Sequence, residues 1–202
     1  MKGLIIKDFI NLKQQLKITI ILFIFYLLFG IITQSTSMFY MVLVLYSMMI
    51  PLSIFSYDEK AKWDRYALTL PVSRRDLVVS KYLVYLIVNC VLSILAFVPS
   101  VATGMPLLES FSMVLSVVCI GWIYVSVSYP ILFKFGVEKS RFVIMIMSVI
   151  SMIAFTAGSD LINSLSISLP NIVMYIASPI LSIVIIAASM MISFRIMAKK
   201  EF

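Results

Sequence analysis

Long uncharged apolar runs alternate with connections that are either crowded with lysine and arginine or empty of them, and this alternation restricts how such a chain can fold. The runs lie at about 18–34, 38–56, 82–102, 111–133, 142–157 and 172–194, and are built almost wholly from Ile, Leu, Val, Met, Phe, Ser and Ala. Each approaches the roughly 20 residues with which a helix crosses the ~30 Å hydrocarbon core of a bilayer. Backbone N–H and C=O groups find no water there, so each run is expected to be helical. With 62% hydrophobic residues, 12% charged residues and a mean hydropathy of +1.11 over 202 residues, too little polar surface remains to coat a water-soluble globule. The expectation is an all-α integral membrane protein with six transmembrane helices, a single transmembrane domain spanning 1–202 and no large soluble domain.

The sixteen basic residues occupy alternate connections only: Lys2, Lys7, Lys13 and Lys17; Lys60, Lys62, Arg65, Arg74, Arg75 and Lys81; Lys134, Lys139 and Arg141; Arg195, Lys199 and Lys200. The connections around 35–37, 103–110 and 158–171 carry no basic residue but do hold Glu109 and Asp160. Cytoplasmic loops retain Lys and Arg, which predicts both termini inside. The net charge of +7 therefore reads as a topology signal and as contact with anionic headgroups, not as nucleic-acid binding. Cys90 and Cys119 fall inside apolar runs, where a thiol behaves as a small hydrophobe.

Residues 1–17 place Ile5, Phe9, Leu12 and Leu16 on one helical stripe and Lys2, Lys7, Lys13, Gln14 and Lys17 elsewhere. That pattern predicts a separate amphipathic helix lying along the inner membrane surface, the plainer alternative being a charged lead-in to the first span. No small-residue cleavage site follows, so the first segment is expected to be retained. Pro51, Pro99 and Pro130 are expected near helix ends, and Pro179 within the last span is expected to kink it.

Residues 57–81, YDEKAKWDRYALTLPVSRRDLVVSK, concentrate ten of the chain's charges. From Asp58 the spacing of Trp63, Tyr66, Ala67 and Leu70 at i, i+3, i+4 and i+7 predicts a short amphipathic helix. Asp58 and Glu59 are expected at its N-terminal end, where the helix dipole favours negative charge, and Pro71 at its stop. Ser73 followed by Asp76 matches a capping box, so a new helix should begin near Arg74 and run into the third span. Such an elbow fits two roles. Trp63, Tyr66 and Leu70 anchor it in a groove of a soluble partner, or the same aromatic face rests on lipid headgroups.

Several chemistries are missing. None of the glycines belongs to a phosphate-binding loop followed by Lys and Ser or Thr, so the chain is not expected to bind a nucleotide or act as an enzyme. There is no histidine, and the nine acidic residues fall in connections or tails, which speaks against hydrolase sites and against ion-coupled transport through the spans. No metal or cofactor is expected in this chain. Candidate path-lining positions are Asn89, Ser93 and Ser100 on the third span, Ser112 and Ser116 on the fourth, and Ser178 and Ser182 on the sixth; the same small polar stripes also serve as packing contacts between helices.

The opening MKGLIIKDF, the segment DEKAKWDRYALTLPVSRRDLVVSKYL directly after the second span and the six-span layout together resemble the ABC-2 family of exporter permeases, in particular the small membrane subunits of the phenol-soluble-modulin exporter type. The resemblance implies two permease copies, identical or related, joined to two copies of a separate cytoplasmic ATP-binding subunit that carries ATP and Mg, in the plasma membrane. It also implies that Asp58 to Leu70 is the coupling helix, with Asp58, Glu59, Lys60, Trp63, Asp64, Tyr66, Leu70 and Pro71 matching the family loop and Arg74 its Ser-Arg step. The cargo implied is an amphipathic or lipophilic solute, foremost cytolytic or antimicrobial peptides. The alternative is a passive channel or membrane scaffold without an ATPase partner.

Overall fold

The computed structural model describes residues 2–33, 37–67, 69, 71–102, 104–164 and 171–200. Six helices follow one another: α1 Lys2–Thr33, α2 Ser37–Lys60, α3 Trp63–Ala67, α4 Arg74–Ala102, α5 Leu107–Ser164 and α6 Asn171–Lys199. No strand occurs among the described residues. Arg74–Val98, Leu107–Ile146 and Ala177–Lys199 are each long and apolar enough to cross a bilayer, and Ile20–Gly30 of α1 is a shorter apolar stretch.

The bundle wears its hydrophobic side chains outward. Ile32 is 78% exposed and Leu108 75%, whereas Ser100, Ser140, Ser182 and Ser193 are fully buried. In water such a surface would drive aggregation, so its proper solvent is lipid.

Three sequence expectations about helix boundaries need correction. No break separates residues 2–17 from the first span expected after them, since α1 runs unbroken from Lys2 to Thr33. Its packed face is set by Leu4 and Asp8, both buried, with Ile5 and Leu12 beside them, while Phe9 stays exposed. Pro51 and Pro130 lie well inside α2 and α5, because those helices run past the limits that charge alone suggested. The connection expected at 134–141 shrinks to one residue, Gly136, whose φ of 75° and ψ of 178° interrupt α5. A straight helix would separate residues 131 and 140 by about 13 Å along its axis. Here Ser140 Oγ donates to Ile131 O at 3.2 Å and also to Gly136 O, so the chain turns sharply. Such a φ suits glycine, and the turn relieves a 40-residue apolar stretch that would otherwise extend ~60 Å, twice the bilayer core.

Of the segment 158–171, residues up to Ser164 continue α5, and 165–170 lie outside the described residues.

Two polar seams knit the helices. Pro130 has no N–H, so Ser126 O in the preceding turn loses its helical donor. Ser189 Oγ of α6 supplies one at 2.6 Å. With its only proton committed there, Ser189 accepts from Tyr82 Oη of α4 at 2.7 Å, and Tyr82 in turn accepts from Ser193 Oγ at 3.0 Å. We expect Ser189→Ala to destabilise the bundle by about 1–2 kcal/mol, and the added change Pro130→Ala, which restores a helical donor to Ser126 O, to recover much of it. Unfolding of both variants in detergent checks this, and simple additivity would contradict it.

The second seam joins α2, α4 and α5. Asn89 Nδ2 donates to Ser47 Oγ at 3.1 Å and to Tyr85 Oη at 3.4 Å, and those two oxygens lie 2.5 Å apart. Gly121 of α5 closes over them, because only a residue without Cβ fits there. Below this seam Tyr129 is the aromatic hub. It is wholly buried, with its ring against Phe55, Tyr82, Tyr85 and Phe133, and its hydroxyl donates to Lys81 O at 3.2 Å.

Candidate functional site

The charges expected to form a loop instead tie one end of the bundle together. α2 extends to Lys60, so Asp58 and Glu59 stand in its last turn rather than at the start of a following helix. That is the wrong end of a helix dipole for an acid. Other helices provide the compensation. Lys7 Nζ of α1 donates to Asp58 Oδ1 at 2.5 Å, and Lys81 Nζ of α4 donates to Asp58 Oδ2. Lys7 also lies 2.9 Å from Asp8 Oδ1, close enough for ion pairing but without the alignment of a hydrogen bond. Asp8, Asp58 and Lys81 are all buried, and two cations balance two carboxylates. Buried charges persist only when paired in this way.

Glu59 performs a second compensation. Its Oε2 accepts from Val137 N at 2.6 Å, which gives a partner to one of the orphan donors at the start of the helix beyond Gly136. A Cβ on Gly136 would lie 3.2 Å from Glu59 Oε1, so the same glycine that turns the chain also admits the carboxylate.

The short helix follows directly. Lys62, at φ 49°, ends α2 in the left-handed region, with its N–H bonded to Glu59 O. α3 then covers only Trp63–Ala67, not Asp58 to Leu70. Its inner side is Ala67, fully buried, and Trp63, half-buried against the core with Lys7 Nζ 4.4 Å from its ring centroid. Tyr66 is 58% exposed, with its ring 5.5 Å from that of Trp63. The aromatic stripe therefore splits, Trp63 holding α3 to the bundle and Tyr66 facing outward. Lys60 and Pro71 are exposed, Asp64 lies on α3, and Leu70 is outside the described residues.

The capping box forms as the spacing of Ser73 and Asp76 requires: Ser73 N donates to Asp76 Oδ2 at 3.2 Å and Asp76 N to Ser73 Oγ at 3.1 Å. α4 accordingly begins at Arg74. Arg74 Nη1 donates to Met197 O at 3.1 Å, Ala198 O at 2.8 Å and Lys200 O at 3.2 Å, filling carbonyls that the end of α6 leaves without helical partners. All six helices thus meet at this end through named polar or aromatic contacts.

The residues marked for path lining all lie on α4, α5 and α6. Ser93, Ser100, Ser112 and Ser116 each donate to a carbonyl of their own helix, at Cys90, Phe97, Glu109 and Ser112 respectively. Ser178 is half-buried. Ser182 is buried, 3.7 Å from Cys119 Sγ of α5, and Asn89 belongs to the seam beneath Gly121. Sequence reasoning missed Lys7, Lys81, Asp8 and Tyr129. The spacing of Tyr82, Tyr85 and Asn89 along one face of α4 was the available signal for the polar seams.

No curated protein and no solved structure is similar enough to this chain to count as a match. A family description, ABC-2 family transporter protein, matches residues 3–198, nearly the whole length. That span takes in the tied end, α3 and every apolar helix, and the chain belongs to the ABC-2 family of transporter proteins.

Proposed function

We propose that this chain is the permease subunit of an ATP-driven exporter, and that the α3 elbow is where work enters it. ABC-2 permeases are membrane subunits that normally act with a cytoplasmic ATPase. The proposed assembly is two permeases, identical or related, with two ATPase subunits that bind ATP and Mg. The tied end and both termini face the cytoplasm, in the plasma membrane, and six crossings are made by α1, α2, α4, the two limbs of α5 and α6.

The observation that carries this reading is the division of labour on α3. Trp63 and Ala67 fix it to the bundle, Lys7 stacks on Trp63, and Tyr66 projects from the only short helix among the described residues. A force applied at Tyr66 passes through Trp63 and Lys7 to Asp58, and thence to α1, α2 and α4. Glu59 and Arg74 extend the same linkage to the turn in α5 and to the end of α6. A rigid linkage of this kind converts closure of a partner into motion of the spans.

The cargo proposed is an amphipathic or lipophilic solute, foremost a membrane-active peptide of the kind handled by phenol-soluble-modulin exporters. The apolar flanks of the bundle suit entry of such a solute from the membrane.

Tyr66→Asp is the test, because it puts a charge on the exposed docking face without touching the packed one. Placing an unpaired carboxylate in an apolar contact costs several kcal/mol, so we expect loss of the ATPase subunit on co-purification and at least a tenfold fall in export, with unchanged membrane insertion and melting. Wild-type levels of ATPase recovery and export would defeat the coupling role of α3. The same assays on the wild type decide the broader reading, since transport by the purified chain alone would make it a passive conduit.

A further inference from the structure

α6 has two opposite faces of unlike chemistry. Ser182, Ser189, Ser193 and Met197 point inward and are buried. On the other side Leu181, Val184, Ala188, Ile192, Arg195 and Lys199 follow at intervals of three or four residues, which aligns them in one stripe, and all are exposed. The stripe is apolar from Leu181 to Ile192 and basic from Arg195 onward. At the basic end a cavity of about 620 Å³ opens between α6 and α5, lined by Phe133, Lys134, Ile192, Arg195, Ile196, Lys199 and Lys200.

Among the described residues its lining contains cations and apolar groups and no acid. Among the described residues, Lys134, Arg195 and Lys199 form no ion pair. Like charges gathered around one cavity repel one another unless an anion sits between them. The neighbouring charges on packed elements are already engaged elsewhere, Arg74 with the end of α6 and Lys81 with Asp58. The apolar part of the stripe, twelve residues from Leu181 to Ile192, rises about 16 Å, close to the ~15 Å depth of one hydrocarbon leaflet. Length and charge together describe the outline of a single phospholipid.

We propose that the cavity between α5 and α6 binds the phosphate of an anionic phospholipid, with Lys134 on one wall and Arg195 and Lys199 on the other, and with an acyl chain lying along Ile192, Ala188, Val184 and Leu181. The lipid bridges the two helices at the end where Arg74 already secures α6. This site stands apart from the α3 elbow and does not depend on the exporter reading.

Native mass spectrometry of the purified full chain in a mild detergent, titrated with phosphatidylglycerol or phosphatidylcholine of identical chains, tests it. We expect phosphatidylglycerol to be retained at least tenfold more tightly, and Arg195→Gln with Lys199→Gln to weaken that retention roughly fivefold per cation removed. Lys134→Gln, on the opposite wall, provides a second variant should the double one fail to fold, and it too should lose about fivefold. Equal retention of the two lipids, or unchanged retention in every variant that folds, overturns the site. Displacement of phosphatidylglycerol by millimolar inorganic phosphate would assign the cavity to a soluble anion. A change in oligomeric state without a change in lipid retention would assign it to a protein contact. Either result removes the lipid.

Discussion

Asp58→Asn is expected to destabilise the protein by about 3–5 kcal/mol, the range found when one partner of a buried ion pair is removed and the other is left without compensation. Lys81 is 4% exposed and Lys7 21%, and both direct their ammonium groups at this carboxylate, so its loss removes the anion that the two cations share. Melting in detergent should fall by roughly 10 °C. Proteolysis after Lys60 and Lys62, next to α3, should accelerate because α1, α2 and α4 lose their common anchor. Lys81→Met should cost less, since Asp58 then keeps Lys7. If Asp58→Asn melts like the wild type, or if Lys81→Met is the more damaging change, the charge cluster does not hold this end together.

The tied end also explains why this chain carries so much charge beside α3 when a plain lipid-facing loop would need none. Three of the charged groups there complete bonds that helix geometry leaves open. Glu59 partners a free N–H beyond Gly136, Arg74 partners the last carbonyls of α6, and Asp76 closes the capping box of α4. Satisfying orphan helix ends with side chains from other helices stiffens the junctions. Stiff junctions are what a permease driven from outside its own chain requires, whereas a carrier driven by an ion gradient needs groups that bind and release the ion.

Much of this was legible in the residue order, and what was not has a common cause. The apolar runs gave an all-helical membrane protein, and Ser73 with Asp76 gave the start of α4, because both signals lie within one helix turn or one helix length. The family match, too, bears out the resemblance at the level of the ABC-2 family. Asp58 and Glu59 were misplaced because periodicity from Asp58 reads equally well as the end of α2. What favours that reading is Lys7, 51 residues away, and Lys81, 23 residues away. Trp63 and Tyr66 were read as one face because spacing defines a stripe but not the surface it meets. Asn89 looked like a path-lining polar group, and its burial between α2 and α5 depends on a glycine 32 residues downstream. Local patterns reveal elements, while long-range polar pairs decide their ends and faces.

Gly121→Val should be the most damaging single change in the middle of the bundle. A Cβ added at this position would collide with Ser47 Oγ, lie 2.8 Å from Tyr85 Oη and 3.2 Å from Asn89 Nδ2. These are wholly buried side chains on α2 and α4, so they have little room to withdraw. Overpacking alone costs about 1–3 kcal/mol. Prising α5 away would also break the hydrogen bonds among Ser47, Tyr85 and Asn89, leaving donors unpaired where no water reaches them, at about 1–3 kcal/mol more. We expect Gly121→Val to prevent recovery of folded protein, and Gly121→Ala to lose about 2 kcal/mol. The added change Ser47→Ala, which removes the atom nearest the new methyl, should restore part of the stability of Gly121→Ala although it is destabilising alone. That reversal of sign between backgrounds, measured as a double-mutant cycle on melting, is specific to direct contact. A Gly121→Ala protein that melts at the wild-type temperature would mean that α5 does not approach α2 and α4 so closely, and the seam around Asn89 would then need another explanation.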